Sequence, residues 1–227
     1  MGQTGLAERS CERGVLGELR QLRIPITVRL LARRLRHLPQ AAQALLRAAA
    51  ACTGSIDFEV VRRVSGLDEG VALDALDVAL RAKLLVAVGE RTIAYDFTHP
   101  LVRQTLYNAL GPARRARLHR EIAEAMEEVY GTRIFDYAPS IATHFHRSRD
   151  LPGAERGAMY AVAAAEQADA TGAHADSVRW WQVVLDLLPS NDARRCEYLA
   201  RLSLSLMWAL GFAATLDLSD RVADSAE

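Results

Sequence analysis

A few residues in this sequence could take part in chemistry, and His99 is the first of them. It lies in the stretch YDFTHPLVRQTLYNAL, where a strand-like run of aromatics meets Thr-His-Pro and becomes an amphipathic helix. A helix N-terminus offers free amide donors and a positive dipole end, and an imidazole donor beside them suits a phosphate. His99 is therefore a candidate phosphate contact. The alternative is structural: Thr98 caps the helix, Pro100 occupies its first turn, and His99 packs locally.

The pair His144 and His146 suggests a metal site at first sight. On a helix, however, residues two positions apart point to different sides, so these rings cannot chelate one ion. We expect one ring to pack between helices and the other to face solvent. Cys11, Cys52 and Cys196 are far apart and odd in number, which predicts neither a zinc cluster nor a disulfide framework. No metal site is predicted, and because no nucleophile motif can be identified, the chain is not expected to be an enzyme.

The single lysine, Lys83, decides whether the chain could bind nucleotide by itself. A P-loop requires GxxxxGK[ST], with a lysine that reaches the β- and γ-phosphates. Lys83 stands in RAKLLV at the end of a predicted helix, with no glycine loop before it. The chain therefore has no Walker A motif, and we expect it to be no ATPase and to hold no cofactor of its own.

Composition describes an ordinary globular chain. Half of its 227 residues are apolar, and 28 basic residues balance 28 acidic ones. The balance predicts no general attraction to nucleic acid or to an anionic membrane. No signal peptide can be identified, and the longest apolar stretches are too short to span a membrane. A cytoplasmic location is expected.

Local signals between residues 38 and 111 predict three helices and a hairpin. The stretch PQAAQALLRAAAAC is a strong helix of alanine and leucine. Asp57 should cap a short helix that stops at Gly66, and Asp68 should cap a longer one, EGVALDALDVALRAK. Two β-like runs, LLVAV and TIAYDF, flank a glycine turn. Three helices followed by a two-stranded wing is the order of a winged helix-turn-helix domain.

The third of these helices should not read DNA. It carries four carboxylates, with basic residues only at its far end, and a recognition helix must lie among closely spaced phosphates. Its apolar positions are expected to be large residues. The acids are Asp68, Glu69, Asp74 and Asp77; the bases are Arg81 and Lys83; the apolar residues are Val71, Leu73, Leu76, Val78 and Leu80.

After residue 112 the chain is predicted to be helical at a steady interval. Gly153, Gly172 and Gly211 are expected to open or close turns, which implies helical hairpins of roughly forty residues, the period of an α-solenoid. The segment GAHADSVRWWQVVLDLLP has the spacing of the second half of a tetratricopeptide repeat. The first half fits less well, because Ala161 and Ala168 stand where that motif prefers bulky residues.

Two adjacent tryptophans and a basic run could contact partners. Trp180 and Trp181 are about 100° apart on a helix, so one can be core while the other lines a ligand or partner surface; core packing of both is the alternative. The run PARRARLHR could bind phosphate or an acidic partner. We favour a solvent-exposed face in which arginines pair four residues on with acids. The expected pairs are Arg117 with Glu121 and Arg120 with Glu124.

Three stretches taken together resemble a known family. They are LPQAAQALLRAAAACTGSIDFEVVRRVSGL, DALDVALRAKLLV and YDFTHPLVRQTLYNALGPARRARLHREIAEAM. They resemble the region behind the ATPase core of bacterial signal-transduction ATPases, the large ATP-binding regulators of the LuxR type and their cyclase-linked relatives. The resemblance extends roughly over residues 24–189 and is most specific over residues 97–126.

The resemblance implies a fold and a regulatory function. The fold would be mainly α: residues 1–37 a flexible N-terminus and helical lid remnant, 38–111 a winged helix, and 112–227 tetratricopeptide-like repeats that are incomplete at the C-terminus. The helical array would sense a small-molecule inducer or a protein partner. The winged helix would relay that event to an ATPase domain outside this chain, where ATP or ADP would bind, and DNA and membranes would not be its partners.

The resemblance also gives His99 a role. In related nucleotide switches, a Met-His-Asp motif stands where the winged helix begins its last helix, and its histidine contacts the β-phosphate of ADP. His99 resembles that histidine in placement, although Pro100 replaces the aspartate. Two other functions remain open: a free-standing interaction scaffold, and a fragment of a cyclase-linked signalling protein. The flanking reading frame discriminates between them, since a P-loop motif upstream supports the switch.

Overall fold

The computed structural model describes residues 33–89 and 94–224, with side chains as far as Gly211. Within these ranges the protein is mainly helical and has one small three-stranded antiparallel sheet. The predicted lid remnant lies almost wholly outside them. None of the described helices combines the length and the apolar character needed to cross a membrane.

The elements follow one another along the chain in this order. They are α1 (Gln40–Ala51), β1 (Ile56–Asp57), α2 (Phe58–Ser65), α3 (Glu69–Arg81), β2 (Leu85–Val88), β3 (Ala94–Phe97), α4 (Pro100–Asn108), α5 (Pro112–Tyr130), α6 (Ala138–Arg147), α7 (Ala158–Ala170), α8 (His174–Leu187) and α9 (Arg195–Asp224). Short 3₁₀ turns, Gly131–Tyr137 and Ala154–Gly157, precede α6 and α7.

The predicted signals at the ends of α2 are confirmed. An Asp57 carboxylate oxygen accepts hydrogen bonds from the backbone amides of Glu59 at 2.8 Å and Val60 at 3.2 Å. Gly66 ends the helix in the left-handed region, at φ 66°, where a residue without a Cβ is least strained. Asp68 stands at the N-cap of α3 as expected, but its side chain makes no capping hydrogen bond.

The predicted hairpin is present, and a third strand joins it. β2 pairs with β3, and β1 adds to the other edge of β3, with Ile56 opposite Tyr95 and Asp57 opposite Ala94. The prediction of a two-stranded wing therefore missed one strand. A strand of two residues is too short to show the alternation by which strands are recognised.

Helix α3 packs on the core through alanines as well as through three of the five predicted large residues. Leu76 is buried and Val78 and Leu80 are partly buried, whereas Val71 and Leu73 are 45% and 46% exposed. The other buried positions of α3 are Ala72, Ala75 and Ala79. An alanine face allows α3 to lie close against α1, which is itself rich in alanine. Close approach of two backbones therefore outweighed the burial of individual large side chains.

Helices α5 to α9 form a sequential stack, in which each helix packs against the next. Gly153 and Gly172 provide turns with positive φ, at 84° and 73°, as predicted. Gly211 does not, because it lies inside α9. A helical glycine costs only about 1 kcal/mol relative to alanine, which the alanines and leucines around it offset.

The basic run at the start of α5 makes neither predicted ion pair. Arg117 and Glu121 form no ion pair within 4 Å, although the charge of Arg117 acts on the Glu121 carboxylate, and Arg120 forms none with Glu124. Arg120 donates instead to backbone carbonyls beyond the end of α6, and its guanidinium lies 5.2 Å from the ring centroid of Phe145. The carbonyls are those of Ser148, Leu151 and Pro152. Carbonyls at a helix end need donors, whereas an exposed ion pair contributes little.

A matched pair of glycines tests the packing of α6 against the turn before α7. A Cβ built on Gly157 would lie 2.2 Å from the Cβ of Phe145, whereas one built on Gly70, in the first turn of α3, meets nothing within 4 Å. We expect Gly157→Ala to lower the free energy of unfolding by about 1–3 kcal/mol. Gly70→Ala should raise it by a few tenths to about 1 kcal/mol. Urea denaturation measures both, and equal effects would contradict the observed packing.

Candidate functional site

A chain of hydrogen-bonded polar side chains lies beneath the surface where α1, α4, α5 and α6 meet. The Tyr107 hydroxyl is 2.9 Å from Nε2 of His119, and Nδ1 of His119 is 2.9 Å from Nδ1 of His144. Nε2 of His144 lies 3.2 Å from Oγ1 of Thr53, which in turn contacts Oγ of Ser140 at 2.5 Å. We call these five residues the buried polar chain.

Four different parts of the fold place the five members of the buried polar chain. Thr53 directly follows α1, Tyr107 belongs to α4, His119 to α5, and Ser140 and His144 to α6. Both imidazoles are only 1% exposed. The chain therefore connects the part of the molecule that contains the sheet with the helical stack, through two imidazoles that are buried and three hydroxyl groups of half-buried residues.

The hydrogen bonds can all be made with both imidazoles neutral. Between the two Nδ1 atoms one nitrogen must donate and the other must accept, and one proton on each ring meets this condition. A donor and an acceptor can then alternate from Tyr107 to Ser140 in either direction. One additional proton could be accommodated by turning the hydroxyls, but two would place N–H groups of His119 and His144 face to face.

Burial and a neighbouring positive charge both lower the pKa values of the two histidines. Burial, and secondarily the charge of Arg147, lowers the pKa of His119 to about 4. Burial also holds the pKa of His144 well below its usual value, with further contributions from His119 and Arg147. Both rings are therefore neutral at neutral pH, a state in which every hydrogen bond of the buried polar chain can be made.

A small, partly open cavity adjoins the Thr53 end of the buried polar chain. Its volume is about 20 Å³, and Thr53, Ser140 and Asp57 contribute polar atoms to its wall. This is room for one water molecule with several partners. Cys52 also lines the cavity, but burial raises the pKa of its thiol to about 12, so the thiol stays protonated and is a poor nucleophile.

His99 lies at the surface and caps α4 with its own side chain. Its Nδ1 accepts a hydrogen bond of 3.1 Å from the backbone amide of Leu101, and Pro100 occupies the first helical position. The expectation that Thr98 is the cap is wrong, because His99 occupies the N-cap position and its ring accepts the hydrogen bond from the free amide of Leu101. The phosphate contact stays a prediction, for which Nε2 is the available ring atom.

The two histidines of α6 separate as expected. His144 is buried, while Nε2 of His146 lies 2.9 Å from a carboxylate oxygen of Asp186 near the surface. In the described ranges, no group of three or more side chains is arranged to hold a metal ion.

The tryptophans also separate, which corrects one predicted site residue. Trp181 is fully buried, and its indole N–H donates to Asp169 at 3.1 Å. It cannot contribute to a ligand or partner surface. Trp180 is half-buried at the edge of the core and remains a candidate for such a surface.

The sequence did not point to the buried polar chain. His119 and His144 are 25 residues apart, and His119 lies within an arginine-rich run that looked solvent-exposed. One usable signal was its helical spacing from Ile122 and Met126, three and seven residues on, which are both buried. That spacing places His119 on the core side of α5, but names no partner for it.

The neutral state of the two histidines predicts a loss of stability in acid. The unfolded chain takes up protons near the ordinary histidine pKa of about 6.5, whereas folded His119 does so only near a pKa of about 4. The contribution is therefore complete above pH 6.5 and is lost as the pH falls from 6.5 towards 4. Each imidazole can contribute a slope of up to about 1.4 kcal/mol per pH unit.

Urea denaturation between about pH 7 and about pH 5 measures this slope. His119→Gln should reduce the slope, even though it also lowers stability at neutral pH by interrupting the chain. His37→Gln is the matched control because His37 is exposed, and it should keep the slope of the unaltered protein. The assignment fails if His119→Gln leaves the slope unchanged.

Comparison with protein-family models, with curated proteins and with solved structures finds no match for this chain. Its function must therefore be inferred from its own side chains. Three observations bear on it: the buried polar chain, the acidic exposed side of α3, and the surface position of His99.

Proposed function

We propose that this chain is the regulatory segment of a LuxR-type, ATP-dependent transcriptional regulator. In this proposal residues 38–111 are a winged helix and the helices after residue 112 form a tetratricopeptide-like array. The array binds a ligand or a protein partner, and the winged helix relays that event to an ATPase domain outside this chain. The segment itself catalyses no reaction.

The order of elements supports the winged-helix part of the proposal. Helix, strand, two helices and a hairpin follow one another, with β1 pairing against β3 of the hairpin. In a DNA-binding winged helix, α3 would be the helix that enters the major groove. Here α3 exposes Asp68, Glu69, Asp74 and Asp77 to solvent, and phosphates would repel them. A role in packing and relay fits this surface better than DNA recognition.

The buried polar chain is the observation that carries the proposal. It joins Thr53 and Tyr107, from the proposed winged helix, to the buried rings of His144 and His119 in the array through side-chain hydrogen bonds. Helices α1 and α2 also pack directly against α5. A displacement of α6 must therefore either move the end of α1 or break these hydrogen bonds, which is what a relay requires.

The stack from α5 to α9 supports the sensor part. Sequential packing of helices produces an extended surface of the kind that solenoids use for binding. The alanines at 161 and 168 are buried on α7, which allows α8 to lie close to it. Trp180 stands at the edge of this packing, where an aromatic side chain can contact a partner.

The acidic α3 predicts that the isolated chain binds duplex DNA no more tightly than non-specific background. An electrophoretic shift assay at moderate salt measures this. Replacing Asp74 and Asp77 with lysine removes two anions and adds two cations, so it should increase binding and make it more salt-dependent. Sequence-specific binding by the unaltered chain that is lost on changing Arg81 and Lys83 would refute a relay role.

His99 tests the link to nucleotide. In the protein joined to its ATPase domain, loss of the imidazole should remove a donor to the ADP phosphate and weaken ADP retention roughly ten- to a hundredfold. His99→Ser can still cap α4, whereas His99→Ala cannot, at a cost of about 1 kcal/mol. Both variants should lose ADP if the ring contacts phosphate. If only His99→Ala is affected, the histidine is a helix cap and the nucleotide-sensing role is wrong.

A further inference from the structure

An open groove lies directly above the buried polar chain, between α1, α4 and α6. Its volume is about 500 Å³, within the range of about 300–1,000 Å³ of small-molecule sites. One wall is a face of α4, with Pro100, Arg103, Gln104 and Tyr107 at helical spacing, and Arg147 at the end of α6 lies opposite. Thr53, after α1, also lines the groove.

The side chains that line the groove carry two positive charges and no negative charge. Arg147 makes no ion pair or hydrogen bond through its side chain within the described part of the chain. Its charge is left uncompensated beside the two buried imidazoles. An anion bound in the groove would compensate the charge of Arg147.

Arg103 is held in place with donors to spare. Its guanidinium lies 5.4 Å from the ring centroid of Phe97 and donates to the carbonyls of Cys52 and Gly54 and to the carboxylate of Asp96. These bonds use three of its five N–H groups, leaving Nε–H and one Nη1–H. A guanidinium fixed in this way loses little conformational entropy when it binds an oxyanion.

We propose that this groove binds a small organic or inorganic anion through its carboxylate or phosphate oxygens. Arg147 and the free donors of Arg103 contact the oxygens, and the carboxamide of Gln104 completes the polar contacts. Paired guanidinium and oxyanion groups form the strongest class of protein hydrogen bonds.

The location of the groove links ligand binding to the relay. Thr53 and Tyr107 line the groove, and they are also members of the buried polar chain through their contacts with His144 and His119. A ligand held between Arg103 of α4 and Arg147 of α6 bridges the same two parts of the molecule as that chain. The anion is therefore the inducer class of the regulatory segment, and this inference rests on the proposed function.

Calorimetry on the isolated chain with succinate, inorganic phosphate and, as a salt control, chloride at equal ionic strength tests the site. Succinate or phosphate should bind saturably, and whichever binds more tightly identifies the oxyanion. Arg147→Gln should weaken binding roughly ten- to a hundredfold, the value of a charge-assisted hydrogen bond. Gln104→Glu, which places a negative charge in the groove, should weaken it as well.

Arg133→Gln is the matched control, because Arg133 is exposed in the turn before α6 and does not line the groove; it should bind the anion normally. The site is refuted if neither anion binds saturably, or if Arg147→Gln binds as well as the unaltered chain. Binding that Arg133→Gln weakens equally would show general charge attraction, which also refutes it. None of these results depends on an ATPase domain, so the proposed function and the anion site can fail separately.

Discussion

Two imidazoles that face each other at a distance of 2.9 Å, out of contact with water, impose the strictest constraint on this structure. The shared contact allows one proton between the two Nδ1 atoms, and burial lowers the pKa of both rings, so both are neutral and each remaining nitrogen needs a partner of the right kind. Tyr107 and Thr53 provide those partners from α4 and from the end of α1. The relative position of four helices thus follows from the need to satisfy two buried histidines.

Arginines at helix ends support the same packing from outside. Arg103 donates to carbonyls beyond the C-terminus of α1, and Arg120 does so beyond α6. Arg115 donates to the last carbonyls of α4, and Arg195 to those of α8. Each places a positive charge at the negative end of a helix dipole and satisfies carbonyls that have no partner within their helix. The arginines that looked like a solvated face or a phosphate site are in large part tertiary helix caps.

Sequence alone could predict what depends on local interactions. The cap at Asp57, the glycine turn at Gly66 and the hairpin are decided within a few residues, and all three are present. Gly211 was placed wrongly because a helix can absorb one glycine when its neighbours favour it. The contact between His119 and His144 could not be predicted, because it depends on the register between two helices 25 residues apart. The sequence around a histidine does not show whether its ring will contact water or another ring.

The hydrogen bonds of the buried polar chain fix the position of one helix against another more strictly than apolar packing alone would. Leucine or phenylalanine could fill the space of the two imidazoles, and neighbouring side chains would still exclude water. An apolar contact, however, tolerates sliding of one helix over another, whereas a bond between two nitrogens at 2.9 Å is lost within a fraction of an ångström. His119 and His144 therefore fix one register of α5 against α6, and Thr53 extends that register to α1. The helices joined by the buried polar chain therefore move as a unit, or the chain breaks. Close-packed and hydrogen-bonded groups have discrete arrangements and do not deform continuously.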